Sequence, residues 1–579
     1  MLLANPAVSA SDYWTSAEKV RFTQQDGSCA GTPTDVLDTR RALELEINSI
    51  VLLMSSVCAR FNALCPVNRL PPETLAHIFH FLRDPDTDPR AHPTGRIPRI
   101  LTWVPAATHV CRQWRTAALE HPTLWSQIES VLDPEWKREF LRRSKAVPVV
   151  IRANRLSLTG PKEIIPTELA ADIAHHLPHI RELSVDGAVN ELAPIIQALD
   201  RPVPVLEKLV LSDLYVQHPP MGQEPMHVFL PEALSKFAPR LRVLTIQQWS
   251  FMWSSLAFTS LVHLTAIRPL WERSRGANDI EQLLLALQRM PALETLRLEY
   301  ILPPLPARVM ITRHDTCGPT VCLPRLRSIH MVDEVRKCGL ILKHLTIPPT
   351  AKWHVSCIPY HEGYDFLLPW LATRINGAPL IRTLSLTEMS SGPTITAYNS
   401  DITNFTNTTD SFHGIDDREP PIFRLGFGLS VPFPVSHLQI LLNAMPLQGV
   451  QVLSVCCDRV WSTQDWSTLF GVCSNLRHAR IKYSRSRSLC KLLLTGSSPI
   501  DGGTALLYPH LEQLTLSAIR FREWRTEELS EWLEVQGIVK KLVIQDCSIS
   551  TELVDRLKQV VPEVVWDGRD DLDEEEEEE

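Results

Sequence analysis

Apolar residues between Leu70 and Leu82 recur at helical spacing: Leu75, Ile78, Phe79 and Leu82 fall at i, i+3, i+4 and i+7, on one stripe of a short helix. That helix opens on Leu70-Pro71-Pro72-Glu73, where proline is tolerated because its missing N–H has no intrahelical partner in the first turn. A helix this short does not hold its shape unaided, so the stripe has to bury itself against a neighbouring helix or a partner protein. Val110, Cys111, Trp114 and Ala118 supply a second helical face of matching character, ahead of Pro122-Thr123-Leu124-Trp125. Upstream, Leu43, Ile47, Ile50, Met54, Val57, Phe61 and Leu64 alternate steps of four and three, the seam spacing of a coiled coil. This predicts one long helix over residues 35–66, whose seam packs on a neighbouring element or on a second copy of itself. Residues 1–34 show no period and are expected to be a loose leader.

Beyond residue 130 the pattern changes to three apolar residues at positions 1, 4 and 6, the last three positions alternating as a half-buried strand requires. Eleven copies occur, at Ile180/Leu183/Val185, Leu206/Leu209/Leu211, Leu241/Leu244/Ile246, Leu293/Leu296/Leu298, Leu326/Ile329/Met331, Leu342/Leu345/Ile347, Ile381/Leu384/Leu386, Val450/Leu453/Val455, Leu476/Ala479/Ile481, Leu511/Leu514/Leu516 and Val539/Leu542/Ile544. Helical stretches, among them residues 280–290, 438–445 and 551–560, lie between them. Strand, crossover helix and strand again predict a parallel stack in which each unit buries its strand face only by leaning on its neighbours. The spacing is irregular, so the stack must contain insertions. The stretch 390–421, dense in Ser, Thr, Asn and Asp, is expected to be a long surface loop.

Two resemblances follow from these residues. The run LPPETLAHIFHFL, followed by VCRQW and by HPTLW, resembles the F-box protein family in its fungal-type form, although the stretch between Leu82 and Val110 is longer than that family usually has. The resemblance implies a helical module over residues 67–130 that binds a Skp-type linker subunit of a cullin-RING ubiquitin ligase. The implied contact residues are Leu70, Pro71, Leu75, Ile78, Phe79, Leu82, Val110, Cys111 and Trp114. The 1-4-6 motif resembles the leucine-rich repeat in a degenerate form, and implies a target-binding array over residues 131–566. The expected fold is therefore α/β, an N-terminal helix and a small all-α module followed by an irregular leucine-rich-repeat-like solenoid.

Composition narrows the chemistry. The 579-residue chain is 44% hydrophobic and 21% charged, which is ordinary globular usage. Its formal charge of -8 comes from residues 567–579, whose terminal glutamate run reads as a solvated, disordered acidic tail. The near-neutral remainder gives no electrostatic reason to bind nucleic acid. The thirteen cysteines include no CxxC pair, and neither Cys456-Cys457 nor Cys317/Cys322 has companions at metal-ligand spacing. Reduced thiols and the lack of a signal-peptide pattern lead us to expect a cytoplasmic or nuclear protein without metal or cofactor. Uninterrupted apolar runs such as Ile50 to Met54 fall short of the ~20 residues of a membrane span, so no membrane partner is expected. No nucleophile elbow, zinc-protease signature, P-loop or dinucleotide fingerprint occurs. His175-His176 are expected to cap a helix, and the pairs Trp249/Trp253 and Trp461/Trp466 to be core or rim residues. The expectation is a non-catalytic adaptor that joins a ligase to an unknown protein substrate; the alternative is a repeat scaffold that recruits no ligase.

Overall fold

The computed structural model describes residues 9–22, 33–82, 99–129, 132–153, 167–187, 189–212, 230–249, 251–268, 279–305, 319–358, 364–375, 380–389, 392–402, 420–428, 434–457, 461–482, 508–519, 521 and 526–569. The chain forms two compact units, Met1–Trp125 and Ser126–Glu579. The acidic run after residue 569, and Cys317, lie outside the described residues.

The first unit is helical: α1 Ala10–Phe22, α2 Pro33–Leu64, α3 Pro72–Phe81, α4 Trp103–Thr108 and α5 Arg112–Glu120. α1 stands within the stretch read as a leader, where Ser9 Oγ accepts the Asp12 N–H at 3.1 Å and caps its start. α2 is the expected long helix. Its seam is not covered by the described residues: Ile47, Ile50, Met54, Val57, Phe61 and Leu64 are all more than half exposed. Arg21 of α1 pairs with Glu46, and a groove of about 640 Å³ runs between the two helices, lined by Trp14, Phe22, Ile50, Leu53, Met54 and Val57. The membrane-length argument needs correction. Residues 47–59 carry no charge, and the interspersed Asn48, Ser49, Ser55 and Ser56 break the apolar runs without ending the helix. As a result Val36–Leu64 is long and apolar enough, by length and composition, to cross a membrane, its most apolar 18-residue stretch having a mean hydropathy of 1.5.

The second unit is a parallel α/β array. Its strands are β1 Gln127–Glu129, β2 Val149–Ala153, β3 Ile180–Asp186, β4 Lys208–Ser212, β5 Val243–Gln247, β6 His263–Ile267, β7 Thr295–Glu299, β8 Val321–Cys322, β9 Ser328–Glu334, β10 Leu345–Thr346, β11 Lys352–Ile358, β12 Thr383–Met389, β13 Gly392–Tyr398, β14 Phe423–Phe427, β15 Val452–Cys457, β16 His478–Lys482, β17 Gln513–Ser517, β18 Lys541–Gln545 and β19 Glu563–Trp566. β8 and β10 pair with each other. The other seventeen form one sheet. Parallel pairing runs in chain order from β1 to β7, then through β9 and β11, and again from β15 to β19. Between these halves the order reverses: β11 pairs with β14, the antiparallel β13 follows, and β12 joins β15.

All but one of the 1-4-6 copies lie on this sheet with their apolar residues buried, as at Leu206, Leu209 and Leu211. Burying each such side chain contributes about 1.5–3 kcal/mol, and register stacks them into one continuous core. The exception is Leu342/Leu345/Ile347. Leu342 belongs to the helix Val335–His344 and Leu345 starts the satellite strand β10, so the three never share a strand face. The stretch 390–421 is also corrected. It opens with the central strand β13, because Thr394, Ile395, Thr396 and Ala397 are good strand formers whose hydroxyls had read as loop; residues 403–419 lie outside the described set. Trp249, Trp253, Trp461 and Trp466 are all buried in the core.

Candidate docking surface

The helical module after α2 is built around Leu75, Ala76 and Phe79, which α3 buries against α5 and the 3-10 turn Pro122–Trp125. Phe79 meets the Trp114 ring at 5.1 Å between centroids. Trp103 meets Trp125 edge-on at 5.2 Å, and the Trp125 indole N–H donates to the Ala118 carbonyl at 2.9 Å. Trp103 and Ala107 are buried, which is what anchors α4 within the long stretch between Leu82 and Val110. Residues 83–98 of that stretch lie outside the described residues.

α5 starts later than the sequence suggested. Cys111 is its N-cap, with Sγ accepting the Trp114 N–H at 3.5 Å, and Val110 precedes the helix and is exposed. A thiol at the cap satisfies one of the otherwise orphaned amides of the first turn. Asn68, which sequence reasoning passed over, ties this corner together. Its Oδ1 accepts the Trp114 indole N–H at 2.7 Å, its carbonyl accepts from Gln113 Nε2 at 2.7 Å, and its Nδ2 donates to the Asn62 carbonyl at the end of α2 at 2.6 Å. The only sequence cue was a polar residue two places before the Leu-Pro opening. Beside this clasp lies a groove of about 660 Å³, lined by Asn62, Asn68, Pro72, Glu73, Cys111 and Gln113 among others.

The nine residues expected to make contact divide. Leu75 and Phe79 are fully buried, Leu70, Cys111 and Trp114 are half-buried, and Pro71, Ile78, Leu82 and Val110 face outward. The outward group gains Phe81, which is 71% exposed and stands edge-on to His77 at 5.1 Å. Ile78, Phe81 and Leu82 follow the i, i+3, i+4 rule, so the helical register could have named Phe81. One helix therefore presents two apolar faces, of which the module uses one. Leaving Ile, Phe and Leu together in water forfeits several kcal/mol of burial.

Elsewhere the other candidates serve structure. His175 and His176 end the helix Thr167–His176, and burial, followed by the neighbouring His179 and His175, lowers the His176 pKa. Cys457 is buried and its Sγ donates to Glu388 Oε2 at 3.5 Å.

Comparison with known proteins meets this geometry at the module. Residues 67–129 match the F-box-like domain family, described as F-box-like. No curated protein matches the chain. Among solved structures, the chain is similar to a crystal structure of a TLR13–ssRNA13 complex at 13% identity and a TM-score of 0.29, over 76% of this chain and 47% of that one. The chain thus spans less than half the length of that protein.

Proposed function

We propose that the chain is a non-catalytic substrate-recognition adaptor of a cullin-RING, SCF-type ubiquitin ligase. Its F-box-like module would hold a Skp-type linker subunit through the outer face of α3, and the array would hold a target protein. The observation that carries this reading is the coincidence of the F-box-like match with an apolar face that the module leaves exposed on α3, Ile78, Phe81 and Leu82. The rate contribution would be proximity, a target lysine held near a ubiquitin-charged enzyme. The cytoplasm or nucleus suits it, since every cysteine among the described residues is a free thiol and Cys58 is exposed.

The test is co-purification of the linker with the full chain carrying Ile78→Ser and Phe81→Ser. Both side chains are exposed, so folding should survive, checked by circular dichroism, while linker recovery should fall at least about tenfold, the equivalent of 1.4 kcal/mol. Unchanged recovery, or no linker with the unaltered chain, would favour the second reading, a repeat scaffold without a ligase.

A further inference from the structure

The array's sheet has an outer face opposite its leucines, and register lines up an unusual row on it. Arg297 of β7, His330 of β9, His354 of β11 and Arg424 of β14 are successive in-register neighbours. Adjacent strands lie about 4.8 Å apart, so four basic or imidazole side chains stand side by side across roughly 15 Å. The His330 and His354 rings lie 4.2 Å apart.

One carboxylate occupies part of this row. Glu299 accepts from Arg297 Nε at 2.7 Å and lies 3.0 Å from His330 Nε2. Burial raises its carboxyl pKa, but the bonds from His330 and Arg297 outweigh burial and hold it below the ordinary carboxylate range. Arg297 and His330 are therefore matched by a charge of the chain's own.

Arg424, at the far end of the row, and Lys352 beside it are not matched among the described residues. Lys352, two residues before His354 on the same face, is exposed, and neither it nor Arg424 makes an ion pair among the described residues. Arg424 Nε is buried and has no hydrogen-bond partner there. Next to Arg424 along the strand comes Gly426, whose register neighbours are Ser356 and Thr394. A Cβ at Gly426 would stand 3.3 Å from Ser356 Oγ and 3.5 Å from Thr394 Oγ1. The glycine thus leaves a gap in the face, walled by two hydroxyls, with Arg424 and His354 next on that face and Lys352 two residues further back along β11.

We propose that this gap receives a carboxylate from an acidic segment of the target protein. Two unmatched cations supply the charge, the hydroxyls of Ser356 and Thr394 supply neutral donors, and the absent side chain at Gly426 supplies the depth. The proposal rests on the adaptor reading only in calling the bound protein a target; the acid-binding site itself stands without a ligase.

The experiment uses the purified full chain and a fluorescein-labelled twelve-residue peptide of alternating Glu and Gly, followed by polarisation at 50 mM and 500 mM salt. The unaltered chain should bind it, more weakly at the higher salt, and should ignore the Gln/Gly counterpart. Lys352→Glu and, separately, Arg424→Gln should each weaken binding at least about tenfold. Lys540→Glu, on an exposed lysine beside β18, should leave it unchanged. Arg424→Gln could disturb the sheet, so the exposed Lys352→Glu is decisive, and melting curves accompany both. Equal binding by Lys352→Glu and the unaltered chain would overturn the proposal, as would no binding at all. Tighter peptide binding after Glu574–Glu579 are changed to glutamine would overturn it in favour of the chain's own acidic run as occupant. Linker recovery, measured on the same variants, separates this outcome from the fate of the adaptor reading.

Discussion

Asn68 shows how much one polar side chain can decide at the docking corner. Its carboxamide oxygen takes the indole N–H of Trp114, and its amide hydrogens reach back to the last turn of α2. Asn68→Ala would leave the half-buried indole without that acceptor, and we expect it to cost about 1–3 kcal/mol of apparent stability by urea denaturation. Asn68→Asp keeps the acceptor and loses only the donor to the Asn62 carbonyl, so its midpoint should fall between the two; an Asn68→Ala midpoint equal to that of the unaltered chain would show the clasp to be incidental. The sequence made the stripe Leu75, Ile78, Phe79 and Leu82 legible, but not its division into buried and exposed members. Helical periodicity reports which residues share a side of the helix; it carries no information on where a curved neighbour such as Trp114 stops covering that side.

At the scale of elements, Gly392 is the position that admits no substitute. It begins β13 with φ at +98°, and a Cβ there would come within 1.8 Å of the Phe427 carbonyl oxygen of β14. Gly392→Ala should therefore destabilise the array by more than about 2 kcal/mol, through left-handed strain and through forcing β13 from β14. Gly428→Ala, where a Cβ meets nothing within 4 Å, serves as the comparison and should be mild. Similar urea midpoints for the two would argue against a buried β13. The strands that sequence reasoning found were those with a leucine-like residue three places ahead of the alternating pair. β11 escaped it because Trp353, Val355 and Cys357 alternate with Thr350 and Lys352 where that leading residue would stand, whereas β14 was overlooked although Ile422, Leu425 and Phe427 keep the spacing. β13 escaped because threonine is at once a strand former and a loop residue, and only a neighbouring strand decides between them.

Across the array, histidines give the whole molecule a dependence on acidity. Burial lowers the pKa of His176, His179, His344 and His478; neighbouring positive groups add to the effect at the first three, while at His478 Glu512 and Asp401 oppose burial without cancelling it. A folded-state pKa below the ordinary value of about 6.5 means that the unfolded chain binds more protons as the solution is acidified. Stability is then complete above about pH 6.5 and is lost as pH falls from there through the lower folded-state values. Scanning calorimetry should find a lower melting temperature for the array at pH 5.5 than at pH 7.5, and an equal or higher one would contradict these burials. The reversed order at β12, β13 and β14 has a consequence of another kind, for a chain emerging from a ribosome. β11 can take β9 as soon as it is made, but the strand for its other edge begins only at Phe423, roughly 65 residues later, which at about 5–20 residues per second is a wait of roughly 3–13 s. Throughout that interval a seven-residue edge, Lys352–Ile358, offers unsatisfied backbone to any passing strand. The nascent chain is therefore most in need of a chaperone while residues 359–423 are being translated.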